Sequence, residues 1–123
     1  MIRSIALLLV VVMLGACAGA TASSPGPKTV TIDIHTFQFS PAMVEVPVGT
    51  TVVWRNGDDI LHTATSGTSR SSGLGTFDAS PDGRFDGRMD GAGTEFRFRF
   101  EQAGTYTYYC DRHRHMTATV VVK

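Results

Sequence analysis

Tyr106-Thr-Tyr-Tyr-Cys110-Asp-Arg-His113-Arg-His115-Met116-Thr-Ala-Thr-Val-Val-Val122 reads as two strands and the short connection between them. Tyr106, Tyr108 and Cys110 share one phase of a period-2 pattern, and Met116, Ala118, Val120 and Val122 share one phase of the next. With those phases turned inward, a thiol and a thioether enter the core at the same end of the fold. His113 lies on the connection between them. His115 directly precedes the inward Met116, so alternation turns it outward.

The same alternation recurs upstream. Val30, Ile32 and Ile34 alternate with Thr31, Asp33 and His35, which places His35 on the solvent side, and Phe37 and Phe39 continue the spacing. Val44, Val46 and Val48 alternate with Glu45 and Pro47. Pro47 cannot donate to a ladder, so this stretch belongs at an edge or a bend. Thr51-Val-Val-Trp54 is a second strong strand, closed by the turn residues Asn56-Gly-Asp-Asp59. Phe96, Phe98 and Phe100 alternate with Arg97 and Arg99. No helical periodicity interrupts the series. Many short strands separated by turn signals predict an all-β, antiparallel Greek-key β-sandwich.

Residues 64–93 fit this pattern poorly. Seven glycines and many serines and threonines predict a long loop with short strand pieces, around Thr76–Asp78 and Arg84-Phe85. Asp-Gly recurs at 82–83, 86–87 and 90–91, but without the spacing of an EF-hand calcium loop, so successive turns are the expectation.

The chain has 123 residues, 11 Lys+Arg and 11 Asp+Glu, a formal charge of zero. That balance offers no basic stripe for nucleic acid. The length allows one domain. The N-terminus has its own character: Arg3, then ten apolar residues from Ile5 to Leu14, then Leu14-Gly-Ala-Cys17. The apolar run is short for a membrane span, which needs about 20 residues, and fits a secretory signal of residues 1–16. Leu14–Cys17 resembles a bacterial lipobox, which implies lipidation of Cys17 and anchoring by two or more acyl chains. Residues 17–28 are small, polar and rich in Pro and Gly, hence a flexible linker spanning about 18 Å. The domain proper is 29–123. With Cys17 lipidated, Cys110 is an unpaired thiol in an exported protein, and metal binding is one explanation.

His62 lies just past the turn that ends the Trp54 strand. Together His62, Cys110, His113 and Met116 offer two imidazoles, a thiolate and a thioether, the donor set of blue copper centres. Read singly, Cys110 would be a buried inert thiol and Met116 ordinary core. A nucleophile–base pair of Cys110 with either histidine is conceivable, but leaves Met116 and the second histidine without a part.

The segment C-x-x-H-x-x-M followed by Thr-Ala-Thr-Val-Val-Val resembles the copper loop of the cupredoxins, in the short form found in amicyanin. Phe37-Gln-Phe-Ser-Pro, Val46-Pro-Val-Gly-Thr-Thr-Val-Val-Trp-Arg-Asn, His62-Thr and Ala103-Gly-Thr-Tyr-Thr-Tyr-Tyr-Cys follow the family's order. The likeness covers nearly all of 29–122 and is weakest over 64–93. It implies a plastocyanin/amicyanin-like, type 1 copper protein with ligands His62, Cys110, His113 and Met116. Such a protein carries one copper ion, cycles between Cu(I) and Cu(II), and is an electron carrier rather than an enzyme.

The expected partners are a redox donor and acceptor. The expected state is a monomer held by a lipid anchor on the periplasmic or extracellular side of a bacterial membrane. Arg112, Arg114 and His115 around His113 imply partners with an acidic docking patch. The alternative with the same ligands is a copper storage or delivery protein. A lone Cys110 excludes a binuclear copper A centre, which needs two cysteines in one loop, and the chain is too short for a multicopper enzyme. There are departures from the family: Asp111-Arg112 stands where Thr-Pro is usual, His115 where an aromatic residue is usual, and Thr63 where several members have Asn. A backbone N–H at Thr63 could still hydrogen-bond the Cys110 sulfur and tune the potential.

Overall fold

The computed structural model describes Gly26 and residues 28–123; the signal segment, Cys17 and most of the linker lie outside the described residues. Nine strands run in chain order: β1 (Thr29–His35), β2 (Gln38–Ser40), β3 (Met43–Val46), β4 (Thr51–Asn56), β5 (His62–Gly73), β6 (Thr76–Met89), β7 (Glu95–Arg99), β8 (Gly104–Tyr109) and β9 (Thr117–Val122). They form two sheets, ordered β2-β1-β4-β7 and β3-β9-β8-β5-β6. The described residues contain no helix. Most pairings are antiparallel, but β1–β4 and β3–β9 are parallel, which records where the chain crosses between sheets.

The alternating apolar residues meet between the sheets. Ile32, Ile34, Val52, Trp54, Tyr108, Val120 and Phe100 are all buried, with Trp54 surrounded by Phe85, Phe96, Phe100 and Tyr108. Val53 and Tyr109 are buried too, although they lie on the opposite phase of their strands. Val46, just before Pro47, is on the edge strand β3, as the proline requires. Two further contacts close the structure. A Cβ on Gly87 of β6 would lie 2.0 Å from the Phe96 ring of β7, so Gly87 lets that ring seal the junction between the sheets. The Tyr106 hydroxyl donates to the Gln102 carbonyl at 2.9 Å and pins the β7–β8 turn.

The expectation of a long loop over 64–93 is overturned. β5 and β6 form one extended hairpin, paired from His62–Met89 out to Gly73–Thr76, with irregularities after Thr65 and Ser71. Its tip is Leu74, fully exposed at φ 50°. The bend at Gly67 (φ 128°) brings its Cα against the Ser80 carbonyl, where a Cβ would sit 2.2 Å away. From Thr68 to Ser80 the ribbon is mostly exposed on both faces. It therefore carries Ser, Thr and Gly in place of an alternating apolar pattern, and periodicity had nothing to register.

The other expected strand continuation also fails. β1 ends at His35, and Thr36 and Phe37 turn the chain in left-handed conformations (φ 49° and 61°) before β2. Two consecutive non-glycine residues in that region are costly, on the order of 1 kcal/mol or more each, and need something to hold them.

Candidate metal centre

His62 opens β5, Cys110 follows β8, and His113 and Met116 lie on the connection to β9. This connection is wound tightly. The Cys110 N–H donates to the Met116 carbonyl (3.1 Å), the His113 N–H to the Cys110 carbonyl (3.2 Å) and the Met116 N–H to the His113 carbonyl (2.8 Å). The Ser69 hydroxyl donates to the Arg114 carbonyl at 2.6 Å, so the ribbon beyond Gly67 ties down the outside of the loop.

Three donor atoms converge. Nδ1 of His62 and Nδ1 of His113 are 3.2 Å apart, and the Cys110 sulfur is 3.7 Å and 3.6 Å from them. An ion with nitrogen bonds of about 2.0 Å and a sulfur bond of about 2.3 Å fits among such atoms. His62 and Cys110 are fully buried, Met116 is almost so, and only His113 reaches the surface in part. His115 is exposed, as alternation predicts. Soft sulfur beside two imidazoles is the chemistry of copper rather than of a hard cation. The donor atoms of His62, Cys110 and His113 thus meet at one end of the sandwich, with Met116 buried on the same connection, and the residues present fit a copper ion.

Burial lowers the pKa of His113, and the nearby His62, His115 and Arg112 push it further down, against a smaller opposing effect of Asp58. A neutral imidazole is the form that can donate a lone pair to a metal.

Two residues at the site were not legible as part of it. The first is Asp58. Its carboxylate accepts the N–H groups of Thr36 (2.8 Å) and Phe37 (3.1 Å), and its Oδ2 lies 2.8 Å from Nε2 of His62. Burial alone would raise the Asp58 pKa; the N–H groups of Phe37 and Thr36 and then the His62 ring outweigh it and hold the pKa below the ordinary carboxylate value. An ionised carboxylate can only accept, so Nε2 of His62 carries the proton and Nδ1 is left to face the site. Asp58 thereby holds the strained Thr36-Phe37 turn and the ligand ring together. The second is Phe37. Its ring stands edge-on to His113 and His62, with centroids 4.8 Å and 5.6 Å away, and remains 41% exposed.

Asn56, expected mainly as a turn residue, is wholly buried. Its Nδ2 donates to the carbonyls of Ile60 (2.7 Å) and Met89 (3.2 Å), while its Oδ1 accepts the Asp58 N–H (2.9 Å). It shapes the loop that delivers Asp58 to His62. The Thr63 N–H points at the Cys110 sulfur, 3.3 Å away.

A buried thiol flanked by two imidazoles at the end of a Greek-key sandwich defines a mononuclear cupredoxin-type site. Residues 28–123 match the family described as copper binding proteins, plastocyanin/azurin family, and the chain belongs to that family. Its cofactor is one copper ion.

Solved structures of amicyanin are similar to it. A reduced variant is 24% identical over 83% of this chain and 87% of that one, with a TM-score of 0.58. An oxidised variant is 27% identical over 85% and 89%, with a TM-score of 0.57. A Cu(I) form of another variant at pH 4 is 25% identical over 83% and 87%, again at 0.57.

Proposed function

We propose that the protein carries single electrons between redox partners, using His62, Cys110, His113 and Met116 as ligands of a type 1 copper, and that it is not itself an enzyme. The observation that carries this reading is the convergence of two Nδ1 atoms and one sulfur within 3.2–3.7 Å of one another. Copper bound there supplies one reversible electron. The chain's part is to keep the donors where they are in both oxidation states. The carboxylate of Asp58 fixes the His62 ring, the wound loop fixes Cys110 against Met116, and the Thr63 N–H moderates the charge of the sulfur. Little then has to move when the electron arrives, which keeps transfer fast.

His113 and Phe37 form the part of the site nearest the solvent, and Arg112, Arg114 and His115 flank it. A partner bearing an acidic docking patch suits this surface, although Arg114 already pairs with Asp111 at 3.0 Å. Lipidation at Cys17, with the 17–28 linker as tether, would hold the domain at the outer side of a bacterial membrane. Copper storage or delivery with the same ligands is the second reading, and the burial of His62, Cys110 and Met116 weighs against rapid metal exchange.

Voltammetry of the copper-loaded domain, paired with Cu(I) transfer to a chelator, separates the two. A reversible one-electron couple with slow metal loss supports the carrier. An irreversible couple with metal loss in seconds supports delivery.

A further inference from the structure

Thr63, the residue after the first ligand, does not act alone. Thr63 Oγ1 accepts the N–H of Asp111, the residue next to Cys110, at 2.8 Å. Thr63 Oγ1 and Thr65 Oγ1 are 2.9 Å apart, and the Thr65 hydroxyl donates to Asp86 Oδ1 at 2.8 Å. Each hydroxyl has one proton, which fixes the direction. Thr65 spends its proton on the carboxylate, which can only accept, so Thr63 must donate to Thr65. The chain of bonds then runs one way, from Asp111 N–H through Thr63 and Thr65 to Asp86, and each bond polarises the next.

The fold makes this possible. Thr63 and Thr65 are two apart on β5 and share a face, and Thr65 lies directly across from Asp86 on β6 and from Tyr109 on β8. Thr65 is almost fully buried, so the middle of the relay is shielded from competing water. The same Thr63 whose side chain holds Asp111 presents its own N–H to the Cys110 sulfur. One residue thus grips the ligand loop from two sides.

We infer that Asp86 and Thr65 are positioning residues for the copper centre: through Thr63 they clamp the strand bearing His62 to the loop bearing Cys110 and set the Thr63 N–H on the sulfur. This deepens the carrier reading and rests on it for its redox consequence. It also gives part of the Gly- and Asp-rich segment a task beyond turning the chain.

The test compares wild type with Thr65→Val, which cuts the relay without changing charge or shape, Thr65→Ser, which keeps the hydroxyl, and Asp86→Ala, which removes the far end at an exposed position. In the metal-free protein, amide hydrogen exchange at Thr63 and Asp111 should speed up at least several-fold in Thr65→Val and Asp86→Ala and stay near wild type in Thr65→Ser. In the copper-loaded protein, Thr65→Val should lower the potential, because a weaker N–H bond leaves more charge on the thiolate and favours Cu(II); Thr65→Ser should restore it. Unchanged exchange at both amides in Thr65→Val and Asp86→Ala overturns the inference. So does a potential that Thr65→Val leaves at the wild-type value. A wild-type protein that never shows a reversible copper couple would defeat the carrier reading alone, since the exchange measurement needs no metal.

Discussion

Asp58 Oδ2 stands 2.8 Å from Nε2 of His62 while the same carboxylate holds the N–H groups of Thr36 and Phe37. One side chain therefore fixes a ligand's tautomer and anchors the turn that covers it. Asp58→Ala should lose about 10–100-fold in Cu(II) affinity, the usual cost of removing such a partner, and should raise the potential by weakening His62 as a donor. Competition with a Cu(II) chelator measures the first and voltammetry the second. Wild-type values for both would show that Asp58 only shapes the turn.

Acid should destabilise the metal-free protein in two stages. His113 has a pKa held below the ordinary imidazole value of 6.5, so its contribution is complete above that pH and is lost as pH falls toward its folded value. Asp58 has a pKa held below the ordinary 3.8, so its contribution is complete above that pH and is lost further into acid. Urea midpoints between pH 8 and pH 3 should fall in both ranges. Asp58→Asn should weaken the lower stage and, by removing the charge that opposes the lowering at His113, should deepen the upper one.

The junction between the sheets gives a purely structural prediction. In Gly87→Ala the new methyl meets the Phe96 ring, which stacks on Trp54 at 5.5 Å. The ring must shift, at a cost of about 1–3 kcal/mol. The change should be visible as a lower thermal midpoint together with altered Trp54 fluorescence.

Tyr108 makes the opposite case. Its hydroxyl and the Trp54 indole N–H are buried near one another without a well-formed hydrogen bond to either, and burial drives the Tyr108 pKa far up against a smaller opposing effect of Trp54. Removing a buried polar group that makes no well-formed bond costs little, so Tyr108→Phe should change stability by less than about 1 kcal/mol. Tyr108→Ala, which empties the space, should cost about 3–5 kcal/mol. Denaturant unfolding of both variants checks the pair.

The surface beside His113 predicts a charge preference. The copper-loaded protein should exchange electrons faster with an anionic iron complex than with a cationic cobalt complex, and rising salt should narrow the gap. Arg112→Glu should shrink or reverse the preference. Equal rates for both reagents at low salt would remove the case for an acidic partner.

The sequence made most of the sandwich readable because its strands are buried on one face, so Ile32, Ile34, Val120 and Val122 alternate with polar neighbours. It made the ligands readable because three of them fall within seven residues between two such strands. The β5–β6 ribbon was hidden for the opposite reason: most of it faces solvent on both sides, and its Ser/Thr composition is shared by loops and exposed hairpins alike. Asp58 and Asp86 were hidden because each acts across the fold. Asp58 reaches the β1–β2 turn and Asp86 sits opposite Thr65, and no local pattern records either meeting. Phe37 looked like a continued strand because its spacing was right; the left-handed turn at Thr36 became visible only with the backbone.

Titration of the soluble domain with Cu(II), followed by visible absorption in wild type and Cys110→Ser, tests the central claim most directly. One equivalent of copper should produce an intense thiolate-to-copper charge-transfer band in wild type, and the band should be absent in Cys110→Ser. A colourless wild-type protein, or the same spectrum in both, would mean that His62, Cys110 and His113 do not hold a type 1 copper.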